Sequence, residues 1–267
     1  MIPYFTLPAF RVMGQTLYPY TYLVMAGMVL SYVLAQRRVR KLELHPALSG
    51  VGLFWIAVGG FVGAHVFDVV AYHPELLISN PRILLSIWAG VSSFGGFLGG
   101  TLAFYIYSRR QGIWMLAYLD ALVFGFAPGW ILARGGCFAS HDHPGWRTDF
   151  VLAVAFPGGA RHDLGLYEMI VAAAITGVLY ALSRKERFVG FFVGLTMTLY
   201  ATARFALDFL RAFDKRWAGL TPAQWLSLVM LAVGVMFLVR GKRAGVFLRP
   251  RPEDNENGEL KEDGQST

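Results

Sequence analysis

The chain has 267 residues, of which 55% are hydrophobic and only 15% charged, with a net charge of +7 and a mean hydropathy of +0.48. A water-soluble domain carries about 25% charged residues, so this composition excludes an ordinary soluble core and points to lipid as the solvent. The basic residues stand in short clusters between apolar runs, which excludes a nucleic-acid surface, and the single cysteine, Cys137, excludes an internal disulfide or a multi-cysteine metal cluster.

A helix needs about 20 predominantly apolar residues to cross a bilayer. Seven runs qualify, at 17–36, 49–71, 87–107, 115–133, 166–182, 189–209 and 225–239. No basic stretch precedes the first run and no A-x-A site follows it, so a retained helix is expected in place of a cleaved signal. Fourteen basic residues follow runs one, three, five and seven, against seven on the other side. Basic loops mark the cytoplasm. The expectation is an all-α integral membrane protein of about seven transmembrane helices, amino terminus extracytoplasmic and carboxyl terminus cytoplasmic. One polytopic domain covers 1–251, with an extracytoplasmic loop at about 135–165, and an acidic, polar, disordered tail covers 252–267.

Ionisable residues inside such runs are functional candidates, because each costs about 2.5–3.5 kcal/mol to insert. His65 lies in the second run, Arg134 at the end of the fourth and Arg204 in the sixth. At about 100° per residue, Tyr200, Arg204, Asp208 and Arg211 fall on one helix face within about 80°. Two arginines and a tyrosine beside one acid suit an anion, although Arg204 and Asp208 also fit a structural i,i+4 ion pair. Arg134 either snorkels to the interface or uses its planar fork on a phosphate, and His65 either bonds a neighbouring helix or takes part in chemistry. Runs two, four and six all lead outward, so the three residues share the outer half of the membrane. Gly59, Gly63, Gly95, Gly96, Gly99 and Gly100 have the spacing of close helix packing, or of backbone laid against lipid.

The segment Arg134-Gly-Gly-Cys-Phe-Ala-Ser-His-Asp-His-Pro-Gly145 resembles the signature loop of the prolipoprotein diacylglyceryl transferases. Three further blocks are similar: Trp88 to Gly100, Arg161-His162 with Leu166-Tyr167-Glu168, and Tyr200 through Arg204 to Asp208 and Arg211; Gln224 matches as well. The resemblance implies transfer of the diacylglyceryl group of phosphatidylglycerol to the lipobox cysteine of a preprolipoprotein signal peptide, in the bacterial inner membrane, with no metal or organic cofactor. It makes Arg134 and Arg204 the phosphate-holding pair, with Tyr200, Asp208 and Arg211 beside them. Asp142 stands for the loop acid, Arg161 and Glu168 orient the loop, and Gly95, Gly96 and His65 line the lipid.

The chain departs from the family at four positions. Gly95 replaces a histidine, His65 an arginine, Cys137 an asparagine, and Asp142 a glutamate. A proton acceptor for the substrate thiol must then come from elsewhere. His141 and His143, flanking Asp142 in the signature loop, are the first choice, ahead of His162 and His65. Two other readings stay open: a paralogue that binds phospholipid or lipoprotein without catalysis, and a small-solute transporter. The chain shows no internal repeat of the kind many transporters carry.

Overall fold

A computed structural model describes residues 1–12, 14–86, 92–212, 216 and 218–248. The expected tail at 252–267 and the start of the third run, at 87–91, lie outside the described residues. Helices dominate: α1 (Pro19–Lys41), α2 (Pro46–Tyr72), a short α3 (Pro74–Ser79), α4 (Ser93–Gln111), α5 (Met115–Ser140), α6 (Leu164–Leu182), α7 (Phe191–Leu207) and α8 (Pro222–Ala244). Each of the seven apolar runs overlaps one of the long helices. Four of these, α2, α5, α6 and α8, are long and apolar enough to cross a membrane. Phe54, Val58, Val62 and Val229 are exposed along α2 and α8, as are Met25 and Val29 along α1. Water would not tolerate so continuous an apolar surface, and the chain is a membrane protein.

The helices pair antiparallel through small residues. In α2 and α4, a Cβ at Gly95 would overlap the carbonyl oxygen of Gly63, and one at Gly99 that of Gly59. Only bare backbone permits this approach. Of the two readings of these glycines, Gly95 follows the packing one and is turned into the α2 contact, while Gly96 lies half-buried beside it. Helix α5 packs on α1 and α6. The loop expected from about 135 starts later, because α5 runs on to Ser140. Gly136 lies against the backbone of Tyr20 in α1, and Gly165 of α6 against the backbone of Cys137 and Phe138. The glycines serve close packing inside a continuous helix, so the loop begins at His141.

The expectation of an all-α chain needs correction. Strands β1 (Ile2–Pro3), β2 (Phe10–Val12), β3 (Gln15–Leu17), β4 (Pro144–Arg147), β5 (Val154–Phe156) and β6 (Gly159–Asp163) precede α6, and β7 (Arg187–Phe188) and β8 (Phe247–Leu248) follow it. A four-stranded sheet of order β1-β5-β6-β4 stands between the end of α5 and the start of α6. Alternation was invisible in strands this short. β1 runs parallel to β5, pairing Ile2 with Val154, while β7 and β8 pair at the far ends of α6 and α8. The amino-terminal strand and residue 248 thus lie at opposite ends of the bundle.

Candidate active site

Three helices deliver ionised groups to the end of the bundle beneath the four-stranded sheet. Arg134 comes from the last two turns of α5, Glu168 from the first turns of α6, and Arg204 from the last turn of α7. Glu168 is almost wholly buried and joins both arginines. Its Oε2 lies 2.8 Å from Arg134 Nη2, and its Oε1 accepts from Arg204 Nη1. Arg204 turns its other amino group to Asp208 Oδ1 at 3.0 Å, and Arg211 Nε reaches the same oxygen at 3.4 Å. The result, among the described residues, is a file of alternating charge that runs Arg134, Glu168, Arg204, Asp208, Arg211.

Burial makes that arrangement costly unless each charge has a partner. Asp208 has a further one: Thr221 Oγ1 donates to its Oδ2. Thr221 caps α8, accepting from Gln224 N at 3.1 Å, while Gln224 Oε1 accepts from Thr221 N at 3.0 Å. Gln224 Nε2 also donates to the Phe205 carbonyl at 3.1 Å, so the capping box clamps the 3-10 turn at Asp208–Leu210 under α8. The ring of Trp130 lies 5.8 Å below the Arg134 guanidinium and meets Tyr200 edge-on at 4.5 Å. Tyr200 is close enough to Glu168, Arg204 and Arg134 to sense all three charges.

The sheet is docked on this end. Gly145 of β4 bridges Arg211, and Arg161 Nη1 donates to the Gly145 carbonyl at 3.0 Å. Arg161 thus fastens β6 to β4. Glu168 joins the two arginines. Beside Arg161, His162 Nδ1 lies 2.8 Å from Tyr167 Oη, and burial lowers its pKa from 6.5.

The three residues of the His-Asp-His run part company. His141, in the left-handed region at φ 50°, is buried. Its Nδ1 lies 2.8 Å from Asp163 Oδ2 and its Nε2 3.0 Å from the Phe5 carbonyl. The ring stacks on Tyr4 at 4.5 Å and touches Phe5, Phe138 and Phe156. With both nitrogens engaged, His141 is not placed to take a proton from a substrate; it locks the amino-terminal segment to α5. Asp163, which also accepts from Leu166 N at the start of α6, was not anticipated from the sequence. Burial raises its pKa. Asp142 and His143 face the other way, near Cys137, whose Sγ accepts from Arg134 Nη1 at 3.8 Å.

His65 is buried in α2, its Nε2 3.1 Å from the Ile83 carbonyl, which ties the 3-10 turn at Pro81–Leu85 to the helix. An apolar recess lined by Trp114, Leu116, Val189, Met236 and Arg240 lies at the opposite end of the bundle from the arginines.

A family model described as prolipoprotein diacylglyceryl transferase matches residues 8–240. Several phosphatidylglycerol–prolipoprotein diacylglyceryl transferases are similar to the chain. That of Ruegeria pomeroyi is 30% identical over 84% of this chain and 89% of its own length. That of Allorhizobium ampelinum is 31% identical over 84% and 85%, and that of Idiomarina loihiensis 32% identical over 72% and 75%. With this match over most of its length, the chain belongs to the prolipoprotein diacylglyceryl transferase family.

Proposed function

We propose that the chain transfers the diacylglyceryl group of phosphatidylglycerol to the cysteine thiol of a preprolipoprotein signal peptide. It does so in the bacterial inner membrane, which it crosses seven times with the amino terminus outside. The sulfur attacks the glyceryl carbon that carries the phosphate; the C–S bond forms as the C–O bond breaks, and glycerol phosphate leaves with the bonding pair. The leaving phosphate passes from one negative charge to two. Charge that develops during a reaction is what fixed cations stabilise best, by about 3–4 kcal/mol for each donor removed from comparable sites.

One observation carries the reading: Arg134 and Arg204, from different helices, are held at one place by Glu168. A headgroup phosphate is the ligand that two guanidinium groups brought together in this way suit best. Tyr200 and Arg211 flank the phosphate, Arg161 orients the loop, and Asp142 and His143 lie on the side where the thiol approaches. The opposite ends taken by β1 and β8, and the basic clusters after every second apolar run, support the orientation.

The test is purified protein in micelles with phosphatidylglycerol and a lipobox peptide, scored for thioether product by mass. Arg134→Ala and Arg204→Ala should each lower turnover about a hundredfold or more. Gly95, which offers no proton acceptor, favours a second reading, a paralogue that binds the headgroup without turnover. An inert wild type whose lipid binding is lost in Arg204→Ala would establish that instead.

A further inference from the structure

The two arginines held by Glu168 stand on helices that run side by side, and one spacing recurs along that pair. Asp120 of α5 accepts from Gly190 N at the start of α7, 2.6 Å away and 70 residues on. Trp130 meets Tyr200 edge-on at 4.5 Å, and Arg134 shares Glu168 with Arg204. In both cases the partner is again 70 residues further along the chain. A constant offset marks two helices running parallel and level, so each arginine stands fourteen residues, about 21 Å, beyond the tie at Asp120. We propose that Asp120 is a positioning residue of the transferase: it sets the height of α7 against α5, and with it the level at which Arg204 meets Arg134.

Packing leaves that height open. The close contact of α7 is with α8, where a Cβ at Gly194 would meet the carbonyl oxygen of Gly234 at 3.0 Å. Toward α5 it presents rings, Phe192 on Phe124 at 4.6 Å and Tyr200 on Trp130. Apolar contact has no direction and tolerates sliding. A hydrogen bond does not, because a shift of one residue along the axis, about 1.5 Å, carries an N–H out of reach of its acceptor. Asp120 engages two such groups. Its Oδ2 takes Gly190 N, and its Oδ1 takes Val193 N at 2.9 Å. Gly190 lies in the left-handed region at φ 88° and has no side chain with which to cap the helix. Gly190, Val193 and Asp120 are all buried, so the carboxylate supplies acceptors that water cannot. The positive end of α7 and Arg38 of α1 lie near it.

The consequence for the reaction rests on the transferase reading. A phosphate gripped by two guanidinium groups needs both at one height, and a misplacement of about 1 Å can cost about a hundredfold in rate. The tie at Glu168 is made by long arginine side chains that can follow a displaced helix. The tie at Asp120 is made to backbone and cannot.

The full chain is assayed in micelles with phosphatidylglycerol and the lipobox peptide varied in turn. Asp120→Ala should raise the KM for phosphatidylglycerol about tenfold and leave that for the peptide unchanged, whereas mere loss of folded molecules lowers the maximal rate and moves neither KM. Asp120→Asn keeps an accepting oxygen and should recover most of the affinity. Register is read without turnover in a Cys137→Ser chain, using a short bifunctional thiosulfonate. Trp130→Cys is paired with Tyr200→Cys, or with Thr196→Cys or Arg204→Cys, one turn to either side. With Asp120 in place only the level pair should cross-link; in Asp120→Ala a displaced pair should react. If Asp120→Ala does not accumulate, Asp120→Glu takes its place, the same charge on a longer arm, with the same two expectations. An unchanged KM for phosphatidylglycerol or an unchanged cross-linking pattern in the variant purified overturns the proposal, as does Asp120→Asn behaving like Asp120→Ala. An inert wild type whose cross-linking still shifts in the variant removes the transferase reading and leaves the register role standing.

Discussion

Arg134 and Arg204 hold the two oxygens of a single buried carboxylate, Glu168. One negative charge is thus divided between two cations, and the helix that carries Glu168 fixes the distance between the helices that carry the arginines. Glu168→Gln keeps the shape but leaves two cations facing an amide. Breaking a buried pair by removing one partner costs about 3–5 kcal/mol, so a clear fall in the unfolding temperature in detergent is expected, together with loss of thioether formation. Full stability in this variant would mean the arginines find their partner in lipid.

Arg204 spans Glu168 and Asp208 with different nitrogens. Lysine offers one point charge and cannot bridge both. Arg204→Lys should therefore lower turnover by about two orders of magnitude while circular dichroism stays unchanged. A rate within twofold of wild type would show that charge alone suffices.

The clamp at Thr221 holds the turn below Arg204. Thr221→Val removes the cap of α8 and one partner of Asp208, at a cost of about 2–3 kcal/mol. Thermal unfolding measures it. Because Asp208 positions Arg204, turnover should fall as well, with the KM for phosphatidylglycerol rising more than kcat declines.

Restoring a histidine at position 95 should fail. Even a Cβ there meets the backbone of Gly63, so Gly95→His forces α2 and α4 apart. Overpacking costs about 1–3 kcal/mol or more. Reduced yield and a lower unfolding temperature, with no gain in turnover, are expected; a faster enzyme would show that the two helices separate readily.

Burial lowers the pKa of His162 below 6.5. The folded state therefore favours neutral imidazole, and the stability this gives is present above pH 6.5 and lost as pH falls through the lowered value. The sheet around β4 and β6 should loosen in that window, seen as faster proteolysis of residues 144–163, and His162→Gln should flatten the dependence.

Much of this was legible in the chain, for reasons that differ from residue to residue. Apolar runs of sufficient length name their own helices, and buried arginines are too costly to be idle, so Arg134 and Arg204 stood out. Their meeting through Glu168 did not, because an ion pair across 36 residues leaves no periodic trace. Asp120 makes the same point: it accepts from Gly190 N at 2.6 Å and Val193 N at 2.9 Å, capping α7 from α5, whereas caps are sought just upstream of a helix. The glycine pair after Arg134 left the end of α5 open for a physical reason. Glycine permits both a turn and a close helix contact, and only the neighbouring Tyr20 backbone decides between them. The roles of His141 and His143, two residues apart, were separated only by the left-handed turn that sends one into the aromatic cluster.

The pairing of Ile2 with Val154 also sets a schedule for biogenesis. The first strand leaves the ribosome with no partner and waits for some 150 residues of further synthesis, on the order of ten seconds at ordinary elongation rates. During that interval the amino-terminal peptide is open to proteases and chaperones. Mistimed insertion of α5 would strand it there, so an amino-terminal fusion is a poorer choice than a carboxyl-terminal one for producing this protein.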